Sequence, residues 1–216
     1  TGEGIVFHDR NGNALTGDIP VTFRMSLPMV GRFGVRYFQP LDDGTELFDI
    51  EFDVVWEGWS ILEDYRIDVL ADMELSGEGV SGADTKDFKT IVVPKNYKDT
   101  FSYRLGGDLR LTEWLKVRAG GYFETGAVPG AYTSVDFASF DRWGGSLGLT
   151  LKYSAVEMSL AYSHIFQKMR EVSMDESEIY VQFPLSPGQA LEQHKIGAGS
   201  YDASWDILSV SFTTYL

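Results

Sequence analysis

The chain has 216 residues, of which 44% are apolar and 14% aromatic, so it is long enough and apolar enough to fold rather than stay disordered. Its formal net charge of −14 argues against a nucleic-acid partner, because nucleic-acid binding requires a basic surface. It contains no cysteine, which excludes disulfides, cysteine-based zinc sites and thiol catalysis.

Alternation of apolar and polar side chains is the main signal along the chain. In the second alternating segment Phe48, Ile50 and Phe52 face one way and Asp49 and Glu51 face the other, as expected for a strand with one apolar face. Pro28 should interrupt the first segment, and a bend near residues 58–64 should divide the second. The predicted strands are 20–38, 46–75, 100–111, 115–124, 142–153, 155–166 and 201–216.

The connections between these strands alternate in length. Residues 39–45, 112–114 and 154–155 form short connections, whereas residues 76–99, 125–141 and 167–200 form long ones. An outer-membrane barrel has short periplasmic turns and long external loops, and its strands need no long apolar run. The sequence therefore predicts an all-β fold, an antiparallel transmembrane β-barrel. Residues 1–19 are expected to be an external loop segment, and residues 20–216 to be the carboxy-terminal half of the barrel.

Several short motifs occur in a characteristic order. They are Ser26-Leu27-Pro28, Trp56-Glu57-Gly58-Trp59-Ser60, Tyr97-Lys98-Asp99-Thr100, Tyr103-Arg104-Leu105-Gly106, Val128-Pro129, Asp141-Arg142-Trp143 and Tyr162-Ser163-His164. From Ile19 onward the chain resembles in these motifs the second half of FadL-like outer-membrane transporters. The resemblance implies a barrel of fourteen strands, an even number as hairpin connection requires, of which seven would be present here.

The same resemblance implies the uptake of long-chain fatty acids or other hydrophobic molecules. In the family a ligand is caught by external loops, passes into the lumen and leaves sideways through the wall. The expected partners are a hydrophobic ligand such as a fatty acid or detergent, outer-membrane lipid and lipopolysaccharide, and the missing amino-terminal half of the barrel. No cofactor is expected.

A fatty-acid site needs a cation beside an apolar trough. A family lysine that precedes a stretch like Tyr97-Lys98-Asp99 faces the ligand carboxylate, and the resemblance points to Lys95 or Lys98 for this role. Arg66 and Arg104 lie on the polar faces of strands and could assist. Alternatively, these four cations pair with nearby acids. The trough could be lined by Phe123, Val128 and Pro129, which could instead be a girdle ring and a loop turn.

Catalysis and metal binding are not expected. Ser163 and His164 are adjacent in a strand and should face opposite sides, so they cannot form a catalytic pair. The three histidines, His8, His164 and His194, show no metal-ligand spacing.

The sequence is also compatible with two other functional interpretations. The chain could belong to a structural or passive-pore barrel, possibly part of a larger surface assembly, which would have a polar, water-filled lumen. It could also be a soluble β-sandwich that binds sugar or protein, although a sandwich gives no reason for the loops to alternate in length.

Overall fold

The computed structural model describes residues 13, 21–69, 90–180 and 195–215. Nearly all of the regular structure in these residues is β-strand. The strands are β1 (Val21–Arg24), β2 (Val30–Pro40), β3 (Glu46–Glu57), β4 (Asp64–Val69), β5 (Thr90–Pro94), β6 (Thr100–Arg110), β7 (Leu115–Glu124), β8 (Arg142–Tyr153), β9 (Val156–Gln167), β10 (Arg170–Val172), β11 (Ile179–Tyr180), β12 (Lys195–Ile196), β13 (Gly199–Tyr201) and β14 (Ser204–Thr214). Two 3₁₀ helices cover Trp59–Ile61 and Gly130–Tyr132, and no helix in the described residues is long and apolar enough to cross a membrane.

Seven long strands form one antiparallel sheet in the order β14-β9-β8-β7-β6-β3-β2. Each of these seven strands therefore pairs with the one before it and the one after it in the chain order of the seven, as in a meander. The predicted all-β antiparallel architecture is confirmed. The predictions for β7 and β8 match the observed bounds, and those for β6 and β9 are within one residue of them.

The two faces of this sheet differ in chemistry. Directly paired residues point to the same face of a sheet, so the register defines which side chains share a face. The outward face carries rows of apolar residues, such as Tyr103, Phe123, Trp143 and Phe166. The inward face carries charged and small residues, such as Asp108 and Arg118 next to Gly148.

The first two predicted strands were wrong as continuous elements. The first divides into β1 and β2 around Pro28, and the second divides into β3 and β4 at the 3₁₀ helix Trp59–Ile61. The bend predicted near residues 58–64 is therefore confirmed. Beyond these breaks, β1, β4 and β5 form a separate three-stranded sheet. The predicted continuation over residues 70–75 and the predicted loop segment 1–19, apart from residue 13, lie outside the described residues.

Three connections between neighbouring strands of the large sheet are short and three are long. We call the long connections outer loop A (residues 58–99), outer loop B (residues 125–141) and outer loop C (residues 168–203). Within the described part of loop C, β10 pairs with β13 and β11 pairs with β12. Arg110, the last residue of β6, donates a hydrogen bond to the carboxylate of Asp43 at 3.1 Å and thereby stabilises the short turn between β2 and β3.

Candidate ligand-binding site

Outer loops A and B pack together in an apolar cluster, which we call the outer-loop core. Its buried residues are Leu62, Tyr97, Ala127 and Val128, and Trp59, Tyr65 and Phe137 pack against them. Tyr97 and Phe137 are stacked, with ring centroids 5.4 Å apart, and Trp59 contacts both rings. Aromatic pairs of this geometry stabilise by about 0.5–1.5 kcal/mol beyond the area they bury. The cluster therefore fixes the two loops against each other.

Residues 95–98 connect the two loops through their backbone. The amides of Lys95 and Asn96 both donate to the carbonyl of Glu63, at 2.7 and 2.9 Å, and the amide of Lys98 donates to the carbonyl of Ala127 at 2.8 Å. Asn96 has a φ of 46°, a left-handed conformation that asparagine tolerates better than most residues. This turn directs the side chain of Lys95 into the contact between outer loops A and B and leaves the side chain of Lys98 exposed.

Lys95 is one of the most buried side chains in the described residues, with 1% of its surface exposed. Its ammonium pairs with the carboxylate of Asp136 and lies 4.6 Å from the centre of the Tyr65 ring. A buried cation requires such partners, because desolvation without them is costly. Lys95, predicted from the resemblance as a ligand contact, is thus already provided with a counterion from outer loop B.

The same burial affects the neighbouring acid groups. Burial raises the pKa of the Tyr97 hydroxyl, and interactions with Tyr65 and Asp136 raise it further, so Tyr97 stays protonated. For Asp136 burial acts to raise the pKa, but the hydrogen bonds from Lys95 and Ser134 outweigh it and hold the pKa below its usual value. At neutral pH the Asp136 carboxylate that contacts Lys95 is therefore ionised, and the neighbouring Tyr97 phenol is neutral.

Lys98 and Arg66 are the predicted cations that remain on the surface of the outer loops. Arg66 lies on β4 and donates to Asp64 on its own strand at 3.0 Å. No described carboxylate lies within salt-bridge distance of the Lys98 ammonium. Of these two cations, Lys98 has the greater capacity to accept an external anion.

Val128 and Pro129 lie where outer loop B meets outer loop C. Val128 is 2% exposed, and its carbonyl accepts a hydrogen bond of 2.6 Å from Arg170. The Arg170 guanidinium also lies 4.0 Å from the centre of the buried Phe140 ring, and burial lowers its pKa. The Val128 side chain therefore belongs to the outer-loop core, and its backbone connects that core to the third loop.

A cavity of about 580 Å³ lies along the inward face of the large sheet. Arg104 is among its lining residues, and glycines such as Gly106 and Gly120 form much of its floor. Phe123 lies on the opposite, outward face, in the same row as Tyr103 and Trp143. The structure thus brings together Lys95, Lys98, Val128 and Pro129 at the outer loops, with Arg66 on β4 of outer loop A, and places Arg104 and Phe123 on opposite faces of the large sheet.

Ser163 and His164 lie on opposite faces of β9. The Ser163 hydroxyl donates to the carbonyl of Gly145 at 3.3 Å, whereas the Nδ1 atom of His164 lies 2.7 Å from the carboxylate of Asp206 on the outward face. Within the described parts of the chain, no group of three or more histidine and acidic residues has a metal-binding arrangement.

Several residues that organise the outer loops were not anticipated from the sequence. Asp136 and Phe137 stand in a loop without periodicity, and their partners lie in other loops. Arg170 follows β9 with no motif around it. For Asp136 and Phe137 the sequence offered only their composition as a signal, because an aromatic residue beside an acid in a long loop is compatible with a packed loop.

Comparisons with known proteins agree with this architecture. Residues 6–206 match the family model described as Outer membrane protein transport protein (OMPP1/FadL/TodX). The crystal structure of a Pseudomonas aeruginosa FadL homologue is similar with a TM-score of 0.64 and 18% sequence identity, covering 90% of this chain and 37% of that chain. None of the curated proteins compared with the chain matches it.

These findings confirm the predicted fold and location. The structural likeness identifies the seven-stranded sheet as part of an antiparallel transmembrane β-barrel, and the chain spans 37% of that relative's length. The family match places the protein in the outer membrane and among transport proteins. The chain belongs to the outer-membrane transport protein family described as OMPP1/FadL/TodX.

Proposed function

We propose that this protein takes up hydrophobic small molecules, long-chain fatty acids among them, through the lumen of an outer-membrane barrel. The observation that carries the proposal is a cavity of about 580 Å³ along the inward face of the sheet, in a chain of an outer-membrane transport family. Pockets for such ligands combine apolar walls with a few polar groups. The proposal places lipid against the outward face and lipopolysaccharide beside the outer loops.

The edges of the large sheet bear on how the lumen is closed. β2 and β14 each have one strand neighbour in that sheet among the described residues. Unpaired backbone groups are not tolerated in lipid. We therefore propose that further strands of the same barrel, including those of an amino-terminal half, pair with both edges and complete the lumen.

Capture at the outer surface is proposed to begin at Lys98, with Arg66 as a second cation. Lys98 is exposed and directly follows Tyr97, whose ring packs against the partly buried rings of Trp59 and Phe137, so an anionic head and an apolar tail would find their partners close together. Val128 and Pro129 would support this surface from below. Phe123 is not part of the proposed path, because its side chain faces outward.

A passive pore is the second candidate, and the ion pairs of the inward face favour it. Arg36 pairs with Glu46 and Asp49, Lys116 pairs with Asp108 at 3.2 Å, and Arg142 pairs with Glu124 at 2.5 Å. A wall of paired charges is well suited to a water-filled channel. The two candidates differ in the solute that they pass.

Uptake by the full-length protein separates them. The protein would be expressed in a Gram-negative host that lacks its own fatty-acid transporter, and folding would be checked by the shift in migration between unboiled and boiled samples in SDS. Uptake of labelled oleate that saturates, without uptake of labelled sucrose, supports the transporter. Sucrose entry without oleate uptake by a folded barrel supports the pore and overturns the transporter.

A double variant tests the capture residues. Lys98→Met with Arg66→Met is expected to lower oleate uptake at low ionic strength by about threefold or more, because surface cations concentrate an anionic ligand. Lys168→Met removes an exposed cation from outer loop C and serves as the matched control. An equal loss for each charge removed, in the double variant and in the control, would argue for general surface charge instead of a capture site.

A further inference from the structure

Two glycines on adjacent strands leave part of the inward face uncovered by side chains. Gly106 of β6 pairs directly with Gly120 of β7, and both line the cavity. A Cβ atom at Gly106 would meet only backbone atoms within 4 Å, and at Gly120 the nearest side-chain atom would be the Ser146 Oγ at 3.3 Å. We call Gly106 and Gly120 the glycine floor. Glycine within a strand allows a ligand to approach the backbone closely, and this floor is open to the cavity.

Glu51 borders the glycine floor from β3, with its charge unpaired. It lies directly opposite Gly106. Its neighbour on the other side, Arg36 of β2, directs its guanidinium to Glu46 and Asp49 instead. No cation in the described part of the chain lies within salt-bridge distance of the Glu51 carboxylate, and the residue is exposed. Its carboxylate can therefore accept hydrogen bonds from an ammonium group in the cavity.

Arg104 borders the same floor along β6, two residues before Gly106. Its Nε atom donates to the hydroxyl of Ser102 at 3.0 Å, and no described carboxylate lies within salt-bridge distance of its guanidinium. The acid directly opposite it, Asp53, leans over Gly34 of β2, since a Cβ atom on that glycine would lie 2.3 Å from the Asp53 carboxylate. The charge of Arg104 therefore remains available to an anion in the cavity.

Glu51 and Arg104 are diagonal neighbours, because Glu51 pairs with Gly106 and Arg104 stands one inward position away on the same strand. Diagonal positions of an antiparallel pair lie about 7–8 Å apart, so the two opposite charges face one space without neutralising each other. In a small amino acid such as β-alanine, three covalent bonds of about 1.5 Å place the ammonium and the carboxyl carbon about 4 Å apart. A hydrogen bond at each end of such a solute would connect it to both side chains.

We propose that the cavity binds small zwitterionic solutes over the glycine floor, with the ammonium at Glu51 and the carboxylate at Arg104. Both contacts are charge-assisted hydrogen bonds, the stronger kind, so a neutral solute of the same size loses the advantage of both. The inference goes beyond the proposed uptake of hydrophobic compounds and does not depend on it, because no apolar tail is required. It gives the lumen a second class of solute, selected by its dipole.

Solute flux into proteoliposomes that contain the full-length protein tests the site. Labelled β-alanine is the zwitterion, labelled erythritol is the neutral solute of similar size, and liposomes without protein give the background. The wild type is expected to pass β-alanine faster than erythritol, with saturation, because a binding site in a channel concentrates the solute that it fits. Glu51→Gln and Arg104→Gln are each expected to slow β-alanine about tenfold, as for the loss of a hydrogen bond between charged groups, and to leave erythritol unchanged.

Two controls separate the site from the general charge of the wall. Asp53→Asn removes another carboxylate of β3, one that is directed toward β2, and it is expected to leave β-alanine flux close to that of the wild type. Glu51→Arg combined with Arg104→Glu exchanges the two charges, so a zwitterion can bind in the opposite direction. This double variant should recover most of the flux that either single reversal loses. Folding of each variant is checked by the shift in migration between unboiled and boiled samples in SDS.

The outcomes decide between a site and a solvated wall. A folded wild-type barrel that passes β-alanine no faster than erythritol would overturn the site, while uptake of hydrophobic compounds stands. Equal slowing by Asp53→Asn and Glu51→Gln, or slowing of both solutes by Arg104→Gln, would also overturn it. Loss confined to β-alanine in the two glutamine variants, with recovery on charge exchange, supports the site.

Discussion

Lys95 and Asp136 form an ion pair between two outer loops, with the lysine side chain 2% exposed and the aspartate side chain 48% exposed. The pair is asymmetric: if it breaks, water can still solvate the Asp136 carboxylate, whereas the buried Lys95 ammonium stays without solvation. A buried cation left without its counterion is strongly unfavourable. Stabilisation of the Lys95 charge therefore depends on Asp136 more than stabilisation of the Asp136 charge depends on Lys95.

Replacing the counterion should open the outer loops locally. In Asp136→Asn we expect the amides of Lys95 and Tyr97 to exchange faster, corresponding to about 1–3 kcal/mol of local stability, the usual cost of removing one partner of a buried polar group. Hydrogen exchange with mass spectrometry measures this. The strands β7 and β8 should keep their protection, and Lys98→Met, which alters an exposed neighbour, should exchange like the wild type.

The pH dependence of the outer loops follows from the lowered pKa of Asp136. A carboxyl group whose pKa is depressed on folding contributes stability that is complete above its unfolded pKa and is lost as pH falls through the folded pKa. The ordinary value is 3.8, so the outer-loop core should be unchanged between pH 7 and pH 5 and should loosen only below about pH 4. Fluorescence of Trp59, which packs on Tyr97 and Phe137, reports the change.

The variant Asp136→Asn provides the control for that titration. It lacks the titrating carboxylate, so its fluorescence should already resemble that of the loosened state at pH 7 and should show no transition attributable to this pair. A transition of wild-type fluorescence between pH 5 and pH 7 would contradict the assignment to Asp136. A histidine would then be the more reasonable cause.

Much of the large sheet could be predicted from the sequence, because alternation is a local property. β7 and β8 are each continuous, with a polar or small residue at nearly every second position, and their bounds follow directly from the pattern. The breaks near Pro28 and Gly58 were predicted only in part. The strands beyond them form a second sheet whose pairing depends on how the outer loops fold.

The candidate site was predictable to a smaller extent. Alternation placed Arg104 on the inward face, but the distance along the chain hid the partner of Lys95, since Asp136 is 41 residues away. Trp205 has the appearance of an interfacial aromatic, although alternation along β14 and the pairing with Ile165 both assign it to the inward face. Contacts between loops and between distant strands are set by tertiary packing, which a local pattern does not encode.

Alanine substitutions at two glycines with positive φ allow the cost of backbone strain to be compared with the cost of a steric clash. Gly44 has a φ of +76° and open space where a Cβ atom would stand, whereas Gly197 has a φ of +89° and its Cβ would lie 2.5 Å from the carbonyl oxygen of Thr133. Gly44→Ala is therefore expected to cost about 1 kcal/mol, the strain of a left-handed alanine. Gly197→Ala must also displace outer loop B and should cost more.

Limited proteolysis distinguishes the two glycine variants. Gly197→Ala should expose outer loops B and C to cleavage, while Gly44→Ala should leave these loops as resistant as in the wild type, because its turn lies at the other end of the sheet. Equal cleavage of the two variants would mean that the contact between Gly197 and Thr133 does not hold the loops together.

Cysteine scanning along β8 tests the assignment of inward and outward faces, on which the position of the lumenal cavity depends. The chain has no cysteine, so single substitutions in it add one thiol without background from its own residues. Ser146→Cys and Gly148→Cys should react with a charged, water-soluble maleimide through the lumen, because pairing puts Ser146 on the same face as Ser163 and Gly148 on the same face as Arg118. Leu147→Cys and Leu149→Cys face outward, where lipid excludes that reagent and a lipophilic maleimide should label them instead.

Lys98→Cys is the positive control for the water-soluble reagent. Labelling without alternation would show that the register of β8 is wrong, and with it the position of Gly144 between Tyr122 and Ile165.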